Sequence, residues 1–381
     1  MRNTLQNQMP AFAIVIPNFN QSHFLPTALE SLRHQDATFS VALMDGGSTD
    51  PVDEVANRYA DVITFFRSAP DGGQASAIRE GFEQIPGDVV CWLNADDYYY
   101  PGTLDRVTAC FEQHPEVDVV YGDAVHVTPE GFFLSYFLPV REYDARAMTR
   151  TDFICQPSCF VRRAAYERVG KVDPSLRYTM DWDLWCRLSE GGAKFYYLKE
   201  LLAAVRYYPG TKTLSGDRKR YEEIWRIEKK YGRRLLPWSW PGCLFFELSC
   251  RERCSLSEKF LYSALLSLRW FLKAVTDRCG RDSRETLHGF HRWQPLVEGV
   301  GRIHLPWYDQ RQWKRIDLRI TPRDQSYRVR VNDRDFGRVQ APRGVISVEV
   351  SPSTEPCWTV VIERVGGGRW RLLRMDCALT D

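Results

Sequence analysis

The run Trp92-Leu93-Asn94-Ala95-Asp96-Asp97 delivers an amide and two adjacent carboxylates to the end of an apolar stretch. Hard oxygen donors of this type suit Mg2+ or Mn2+, which bind carboxylates, water and phosphate oxygens. An ion held there would bridge two phosphates and act as a Lewis acid toward a departing diphosphate. The same two acids would otherwise cap the helix that follows. Earlier in the chain, Met44-Asp45-Gly46-Gly47-Ser48-Thr49-Asp50 pairs a carboxylate at a strand end with glycines that permit close backbone approach. Asp45 there can accept a hydrogen bond from the N–H of a base, or the segment is a turn followed by a helix cap. Pro70-Asp71-Gly72-Gly73-Gln74-Ala75 is a second glycine-containing turn, and it opens a helix whose N-terminus attracts anions such as a diphosphate. In Tyr178-Thr179-Met180-Asp181-Trp182-Asp183-Leu184-Trp185 two acids flank a helix start. One of them can point into a cleft and take the proton of an attacking hydroxyl while the other caps; both would otherwise serve the helix dipole. The lysine pattern of a phosphate loop and the GxGxxG pattern are both missing, which argues against kinases and ordinary dehydrogenases.

The elements around these residues follow from hydrophobic periodicity. Strands are expected at Ala13–Pro17, Val41–Asp45, Val62–Phe66, Val89–Asn94 and Val117–Tyr121. Helices are expected at Phe24–His34, Pro51–Ala60, Gln74–Gln84 and Pro101–His114, the second capped by Asp50 with proline just inside. This alternation predicts an α/β fold, a mostly parallel sheet with helices on both faces. Ligands in such sheets bind beyond the carboxyl ends of strands, where Asp45, Asn94, Asp96 and Asp97 all fall. Further along, strands are expected at Phe132–Leu138, Lys194–Leu198 and Ala203–Tyr208, with helices at Trp182–Ser189 and Asp217–Tyr231. A Pro/Trp-rich break from Pro237 to Gly242 precedes a helical stretch, 243–279, that includes the apolar and basic run Leu261–Val275. After Gly289, the segments Ile316–Ile320, Tyr327–Val331, Val345–Val350 and Trp358–Glu363 alternate apolar and polar residues, which reads as an antiparallel, sandwich-like all-β module. The expected organisation is therefore 1–235, 236–288 and 289–381.

A chain of 381 residues has the length for two or three such units. Its 44% apolar and 26% charged residues suit a globular protein with a sizeable core. A net charge of +2 argues against a dedicated nucleic-acid binder. Aromatic residues reach 13%, and such rings serve either as core or as platforms for the apolar faces of sugars. The 11 cysteines include no CxxC pair, which points to reduced thiols in a cytoplasmic compartment. Cys155/Cys159 and Cys250/Cys254 read as structural thiols or as zinc ligands. The first ten residues lack the apolar run of a signal peptide, and no stretch approaches the roughly 18 apolar residues that span a bilayer.

Taken in order, Ile14-Val15-Ile16-Pro17-Asn18-Phe19-Asn20, Asp45–Asp50, Asp71–Ala75, Asn94–Asp97 and Asp181–Leu188 resemble glycosyltransferase family 2, the nucleotide-diphospho-sugar transferases of the GT-A fold. The resemblance covers residues 11–215 and implies a GT-A domain with roles for particular residues. Pro17 and the Asn18-Phe19-Asn20 turn would lie against the nucleoside, and Asp45 would bind the base. Asp71 would sit near base and ribose, with Gly73 and Gln74 beside it. Asn94-Ala95-Asp96 stands where the family has its DxD element, so Asp96 would be the main ligand for Mn2+ or Mg2+ and Asp97 its neighbour. Asp181 matches the residue usually assigned as catalytic base. The implied reaction is metal-dependent, in-line transfer with inversion from a nucleotide-diphosphate sugar, UDP favoured, to a hydroxyl of a glycan or lipid-linked acceptor. Bacterial surface polysaccharide synthesis, in the cytoplasm or peripherally at the inner face of the membrane, is the implied setting.

Three positions depart from the family pattern: Asn94 replaces the first carboxylate, Met180 stands where many members have Glu, and Tyr208 stands where some carry a metal-assisting His. Arg206 and Lys212 nearby read as diphosphate partners or as surface charges. Gln156-Pro157-Ser158 and Arg162-Arg163 are expected to border the acceptor cleft. Leu261–Val275, with Arg269 and Lys273, either lies on a membrane surface or packs two units together. In the C-terminal module Trp293, Trp307, Trp313 and Trp358 offer a glycan platform and the basic residues from Arg311 to Arg338 a surface for an anionic polymer, or the module serves packing and oligomerisation. The alternative to an enzyme is a transferase-like carbohydrate-binding or scaffold protein. A sugar nucleotidyltransferase would open with a Gly-rich, Arg/Lys-containing signature that is absent here.

Overall fold

The computed structural model describes residues 10–131, 133–137, 140–213, 218–232, 297–298, 300–306, 313–321, 323–331, 334–349, 357–366 and 369–379. The expected helical segment 236–288 with its Leu261–Val275 run, the Cys250/Cys254 pair, Trp293 and Trp307 lie outside the described residues.

The chain opens with β1 (Phe12–Asn18), α1 (Leu25–Arg33), β2 (Phe39–Asp45), α2 (Val52–Arg58), β3 (Phe65–Ser68), α3 (Gln74–Gln84), β4 (Val89–Trp92), β5 (Tyr98–Tyr99) and α4 (Thr103–Gln113). It continues through β6 (Val119–Val127), β7 (Phe133–Tyr136), α5 (Ala145–Met148), β8 (Cys159–Arg162), α6 (Arg163–Arg168), α7 (Met180–Glu190), β9 (Phe195–Arg206) and α8 (Arg218–Lys230). One nine-stranded sheet results, of order β3-β2-β1-β4-β8-β6-β9-β5, with β7 paired to β6. Strands β3, β2, β1 and β4 run parallel. Strand β8 then enters antiparallel to both β4 and β6, so the second half of the sheet is mixed.

All seven residues of β1 are buried, and their alternation serves two faces. Ala13 and Val15 pack with Ala77, Ile78 and Phe82 of α3, while Phe12, Ile14 and Ile16 pack with Leu25 and Leu29 of α1 and Leu104 of α4. A near-continuous apolar strand is what a parallel sheet covered on both sides requires. Helix α3 approaches so closely that a Cβ on Gly81 would lie 2.8 Å from Val15 Cγ1. That contact fixes the helix that starts at Gln74 against the strand that ends at Asn18.

Helix α3 has the expected bounds, but other elements differ from expectation. Lys194–Leu198 and Ala203–Tyr208 form one strand, β9, because the pairing with β6 slips register around Asp123 and the strand continues across the irregularity. Asp50 does not cap α2, which begins at Val52 without a side-chain cap; Asp50 Oδ2 accepts instead from the Ser22 N–H at 2.7 Å. Nor do Asp96 and Asp97 cap α4, which begins only at Thr103.

The C-terminal strands are β10 (Val297–Glu298), β11 (Val300–Pro306), β12 (Trp313–Thr321), β13 (Ser326–Val331), β14 (Arg334–Gln340), β15 (Val345–Glu349), β16 (Cys357–Arg364) and β17 (Arg369–Leu379). They form two four-stranded antiparallel sheets, β10-β17-β12-β15 and β11-β16-β13-β14. Leu318 and Ile346 of the first sheet meet Tyr327, Val329 and Ile362 of the second in one buried cluster, which makes the module a sandwich. The same cluster takes in Tyr98, Tyr100, Val125 and Val127, so the sandwich packs against the β5/β6 side of the large sheet. Arg328, Arg330 and Arg338 of the basic stretch point outward from β13 and β14.

Candidate active site

The register Asn18↔Asp45 between β1 and β2 sets these residues side by side at the carboxyl edge of the sheet. Asn18 Nδ2 donates to Asp45 Oδ1 at 2.7 Å. Asp45 also accepts from the Ser48 hydroxyl, from the N–H groups of Gly47 and Ser48 at 3.1 and 2.9 Å, and from Ser68 Oγ at 2.7 Å. Burial alone would raise the pKa of this fully buried carboxylate, but the donors from Ser48, Ser68 and Asn18 outweigh it and the net shift is downward. Internal donors reach both oxygens of Asp45, the residue expected to meet a base N–H, and tie it to the Gly46–Ser48 loop. Asn20, in the left-handed region at φ 54, donates its N–H to Ser48 Oγ at 2.7 Å and accepts from the Thr49 N–H at 2.9 Å. Pro17 and Ala95 are buried, so their side chains belong to the sheet and its packing.

Phe19 stands out from this edge at 62% exposure. Gly46 lies beneath it, and a Cβ there would come 3.3 Å from Phe19 Cδ2 and 3.4 Å from Asp71 Oδ2. An exposed ring and a carboxylate oxygen thus flank a residue without a side chain. Asp71 Oδ1 accepts from the Gly73 N–H at 2.6 Å. Gly73 has φ 97 and ψ 178, a conformation that is essentially glycine's alone, and it hands the chain into α3 at Gln74.

Beyond β4 the chain turns tightly, with the Asp97 N–H on the Asn94 carbonyl at 3.0 Å. Asn94 Oδ1 accepts from Gln74 Nε2 at 2.7 Å, and its Nδ2 donates to Asp97 Oδ2 at 2.8 Å and Gln156 Oε1 at 3.1 Å. Asp97 Oδ1 accepts from the Arg206 N–H at 3.2 Å. With both oxygens occupied inside the protein, Asp97 is held well above the usual carboxylate range by burial and then by the charge of Asp96. Asp96 is also raised by burial, and its Oδ2 accepts from Tyr208 OH at 3.1 Å and Gln21 Nε2 at 3.2 Å. Tyr208 therefore touches Asp96 from the position where a histidine was expected in some relatives. Arg206 is corrected from a diphosphate partner to a buried brace: its guanidinium donates to the carbonyls of Asp96 and Pro129 and to Thr27 Oγ1.

Helix α7 begins at Met180 and presents Asp181, whose Oδ1 accepts from the Trp182 N–H at 2.8 Å. Burial raises the Asp181 pKa, against which the charge of Lys212 acts. Asp152 lies in the same electrostatic field, pushed well above its usual range by burial and by Asp181. Asp183 has a different fate, buried against Arg187 Nε at 2.7 Å, Tyr231 OH at 2.6 Å and Lys230 Nζ at 3.4 Å. Of the two acids, Asp183 ties α7 to the end of α8, whereas Asp181 bonds the Trp182 N–H of its own helix. Glu223 of α8 accepts from the N–H groups of Arg177, Tyr178 and Thr179 at 2.9, 2.7 and 3.1 Å, clasping the backbone just before Asp181. Trp185 stacks on Trp92 at 5.9 Å and 17°, which locks α7 to β4.

Gln21 and Glu223 are site residues that no motif marked, although Gln21 directly follows the Asn18-Phe19-Asn20 turn. Arg162 and Arg163 are corrected from cleft residues to staples: they donate to the carbonyls of Phe111 and Val117 and of Phe82, Ile85 and Gly87, near the amino end of β4. Cys155 and Cys159 are buried, and burial pushes both thiols up. Among the described residues no group of three or more His, Cys, Asp or Glu side chains is arranged to hold a metal by itself. No helix among them is long and apolar enough to cross a membrane.

A parallel half-sheet with glycine-containing loops at its carboxyl edge, continued by mixed strands and an acidic turn, is the GT-A arrangement of glycosyltransferases. The family model described as Glycosyl transferase family 2 matches residues 13–170. An uncharacterized glycosyltransferase of Rickettsia typhi is 25% identical over 226 residues, covering 57% of this chain and 70% of the relative. The PGL/p-HBAD biosynthesis glycosyltransferase of Mycobacterium bovis is 29% identical over 207 residues, 53% of this chain and 78% of the relative. Among solved structures, S. aureus TarS 1-349 in complex with UDP-GlcNAc aligns over 62% of this chain and 71% of that one, with 19% identity and a TM-score of 0.49.

Proposed function

We propose that the chain is an inverting glycosyltransferase, using a nucleotide-diphosphate sugar, with UDP as carrier, to glycosylate a hydroxyl of a glycan or lipid-linked acceptor at the cytoplasmic side. Residues 1–235 would form the catalytic unit, 236–288 a packing segment and 289–381 an accessory module. Phe19, Gly46 and Asp71 would bed the base, with Asn18, Asn20 and Asp45 shaping the loop beneath it. Gly73, Gln74 and Asn94 would line the diphosphate. Asp181 would take the proton of the acceptor hydroxyl as its oxygen bonds to the anomeric carbon. The bond from that carbon to the diphosphate oxygen breaks in the same step, and its electron pair leaves with the diphosphate. The observation that carries this reading is the polar chain across the cleft: Gln74 bonds Asn94 at 2.7 Å on one side and Lys212 at 2.6 Å on the other, and Lys212 acts electrostatically on Asp181. The mycobacterial relative's part in PGL/p-HBAD biosynthesis supports a glycoconjugate acceptor.

Mn2+ and Mg2+ fit the donor set at Asp96. Such ions keep several waters and take one or two carboxylates together with substrate phosphates, so a full protein cage is not needed. Asp96 would hold the ion, and Asp97, with both oxygens bonded internally, would orient the turn. When bound, the metal supplies Lewis-acid stabilisation of the departing diphosphate. Thermal stabilisation by UDP, GDP, dTDP and CMP with Mn2+ tests the reading. UDP should raise Tm most, since a ligand at a hundredfold its Kd adds about 3 kcal/mol to the native state. Asp96→Ala should abolish the Mn2+-dependent part of that shift, and an unchanged shift would remove Asp96 from the metal site. Absence of turnover with every nucleotide sugar, alongside retained glycan binding, would leave the scaffold alternative.

A further inference from the structure

Lys212 lies between Gln74, at the start of α3, and Tyr178, just ahead of α7. Its Nζ donates to Gln74 Oε1 at 2.6 Å, and the same Gln74 donates to Asn94. Its Nζ also lies 5.9 Å from the centroid of the Tyr178 ring, two residues ahead of α7. The side chain is largely buried, and among the described residues its hydrogen-bond partner is a neutral amide. A buried ammonium whose partner is uncharged lacks the compensation that such groups ordinarily find, and an incoming anion would supply it. Nearby charges are mixed: Asp181 and Glu223 favour the ammonium, while Arg177 opposes it. Arg206, the other cation of this segment, is spent on internal carbonyls, which leaves Lys212 to face the substrate.

We infer that Lys212 is the protein's cationic contact to the donor diphosphate, exchanging its bond to Gln74 for a phosphate oxygen and offsetting the charge that gathers there as the sugar departs. The inference rests on the nucleotide-sugar reading of the site. Asn94 gives it a reason: with an amide in place of the first DxD carboxylate, this cleft carries one negative charge fewer, and a lysine bonded to Gln74 adds a positive one on the same side. Lys212 gives up no proton in the step; it acts as a counter-ion, as preorganised charge aimed at a developing anion does. Burial pushes its ammonium down to about 8, so the contact is mostly charged at pH 7 and fades above pH 8.

The test measures binding of UDP, GDP and dTDP, and of uridine, guanosine and thymidine, to the full-length protein by calorimetry. Wild type should bind at least one diphosphate more tightly than its nucleoside. Lys212→Met should lose roughly ten- to hundred-fold of that diphosphate's affinity, the scale of one charge-assisted hydrogen bond, with nucleoside affinity unchanged. Lys212→Arg should keep most of it. In wild type the diphosphate advantage should shrink between pH 7 and 9.5, because the lysine is cationic below about 8 and neutral above it, and Lys212→Arg should flatten that slope. An unchanged diphosphate-to-nucleoside ratio in Lys212→Met overturns the inference while the donor reading stands. Should Lys212→Met fail to fold, a pH-independent ratio in wild type overturns it equally. Failure of wild type to prefer any of the three diphosphates overturns the donor reading and the inference together.

Discussion

Asp45 and Asp181 belong to the same proposed site and are treated in opposite ways. Asp45, on the nucleotide side, accepts from Asn18, Gly47, Ser48 twice and Ser68, and its pKa falls despite complete burial. Asp181, on the acceptor side, accepts from the N–H of Trp182, and burial leaves its pKa raised. A saturated carboxylate is architecture, since its lone pairs are committed and its charge is permanent. An under-compensated one is poised for proton transfer, because the same burial that costs stability brings its pKa toward working pH. In the proposed reading the nucleotide side is thus a prebuilt frame of loops, whereas the acceptor side keeps Asp181 with a raised pKa.

The largest expected consequence concerns rate. Asp181→Asn should lower kcat by about 10²- to 10⁴-fold, the usual contribution of a positioned general base, and leave nucleotide affinity within error. Transfer assays paired with calorimetry check this, and normal transfer by the variant would eliminate Asp181 as base. The pH dependence should divide along the same line. Asp181 must be ionised to act, so wild-type kcat should drop on acidification through a pKa above the ordinary aspartate value. Asp45 stays ionised to below that value, so nucleotide binding should persist at pH values where transfer has already faded. Coincident acid limbs for binding and transfer would erase the distinction between the two sides.

A smaller effect is expected from the frame. Asp45→Asn removes a charge that five donors address, and hydrogen bonds to charged groups are worth about 1.5–3 kcal/mol, so a loss of about 2–3 kcal/mol in urea unfolding is expected. The sign with pH follows from the lowered pKa: the Asp45 contribution is complete above the unfolded aspartate pKa and disappears as pH falls through the folded one. Stability that fell by less than 1 kcal/mol in Asp45→Asn would mean the loop is held by its backbone alone.

The two sides were also unequally legible in the sequence. Asn18–Asn20, Asp45–Asp50, Asp71–Gln74 and Asn94–Asp97 are contiguous runs at strand ends, so their place at one sheet edge followed from periodicity. Helix α3 has the bounds its pattern predicts. What contiguity could not convey is how lone pairs are spent: Asp45 and Asp97 look available in a sequence, and only the folded chain brings Ser68 and Arg206 onto them. The acceptor side depends on pairs far apart in the chain. Glu223 reaches back 44 residues to Thr179, and nothing distinguishes it within the charged helix α8. Strand β8 escaped detection because its four residues are too few for a period, although its antiparallel insertion between β4 and β6 sets Gln156 beside Asn94.

The smallest expected effect is the one that bears most directly on the comparison, because it reverses sign. A carboxylate whose folded pKa is raised destabilises the native state at neutral pH: the unfolded chain ionises freely, while the folded one must hold a charge it disfavours. Asp181→Asn should therefore stabilise the protein modestly in the same variant that loses transfer. The gain should shrink on acidification, because below the raised pKa the wild-type side chain is protonated and already neutral. Asp45→Asn, by contrast, should destabilise at every pH above the ordinary aspartate value. Chemical unfolding of both variants at two pH values measures this directly. A destabilised Asp181→Asn would show that its carboxylate is held as part of the frame, and the contrast between the two sides would then be one of position alone.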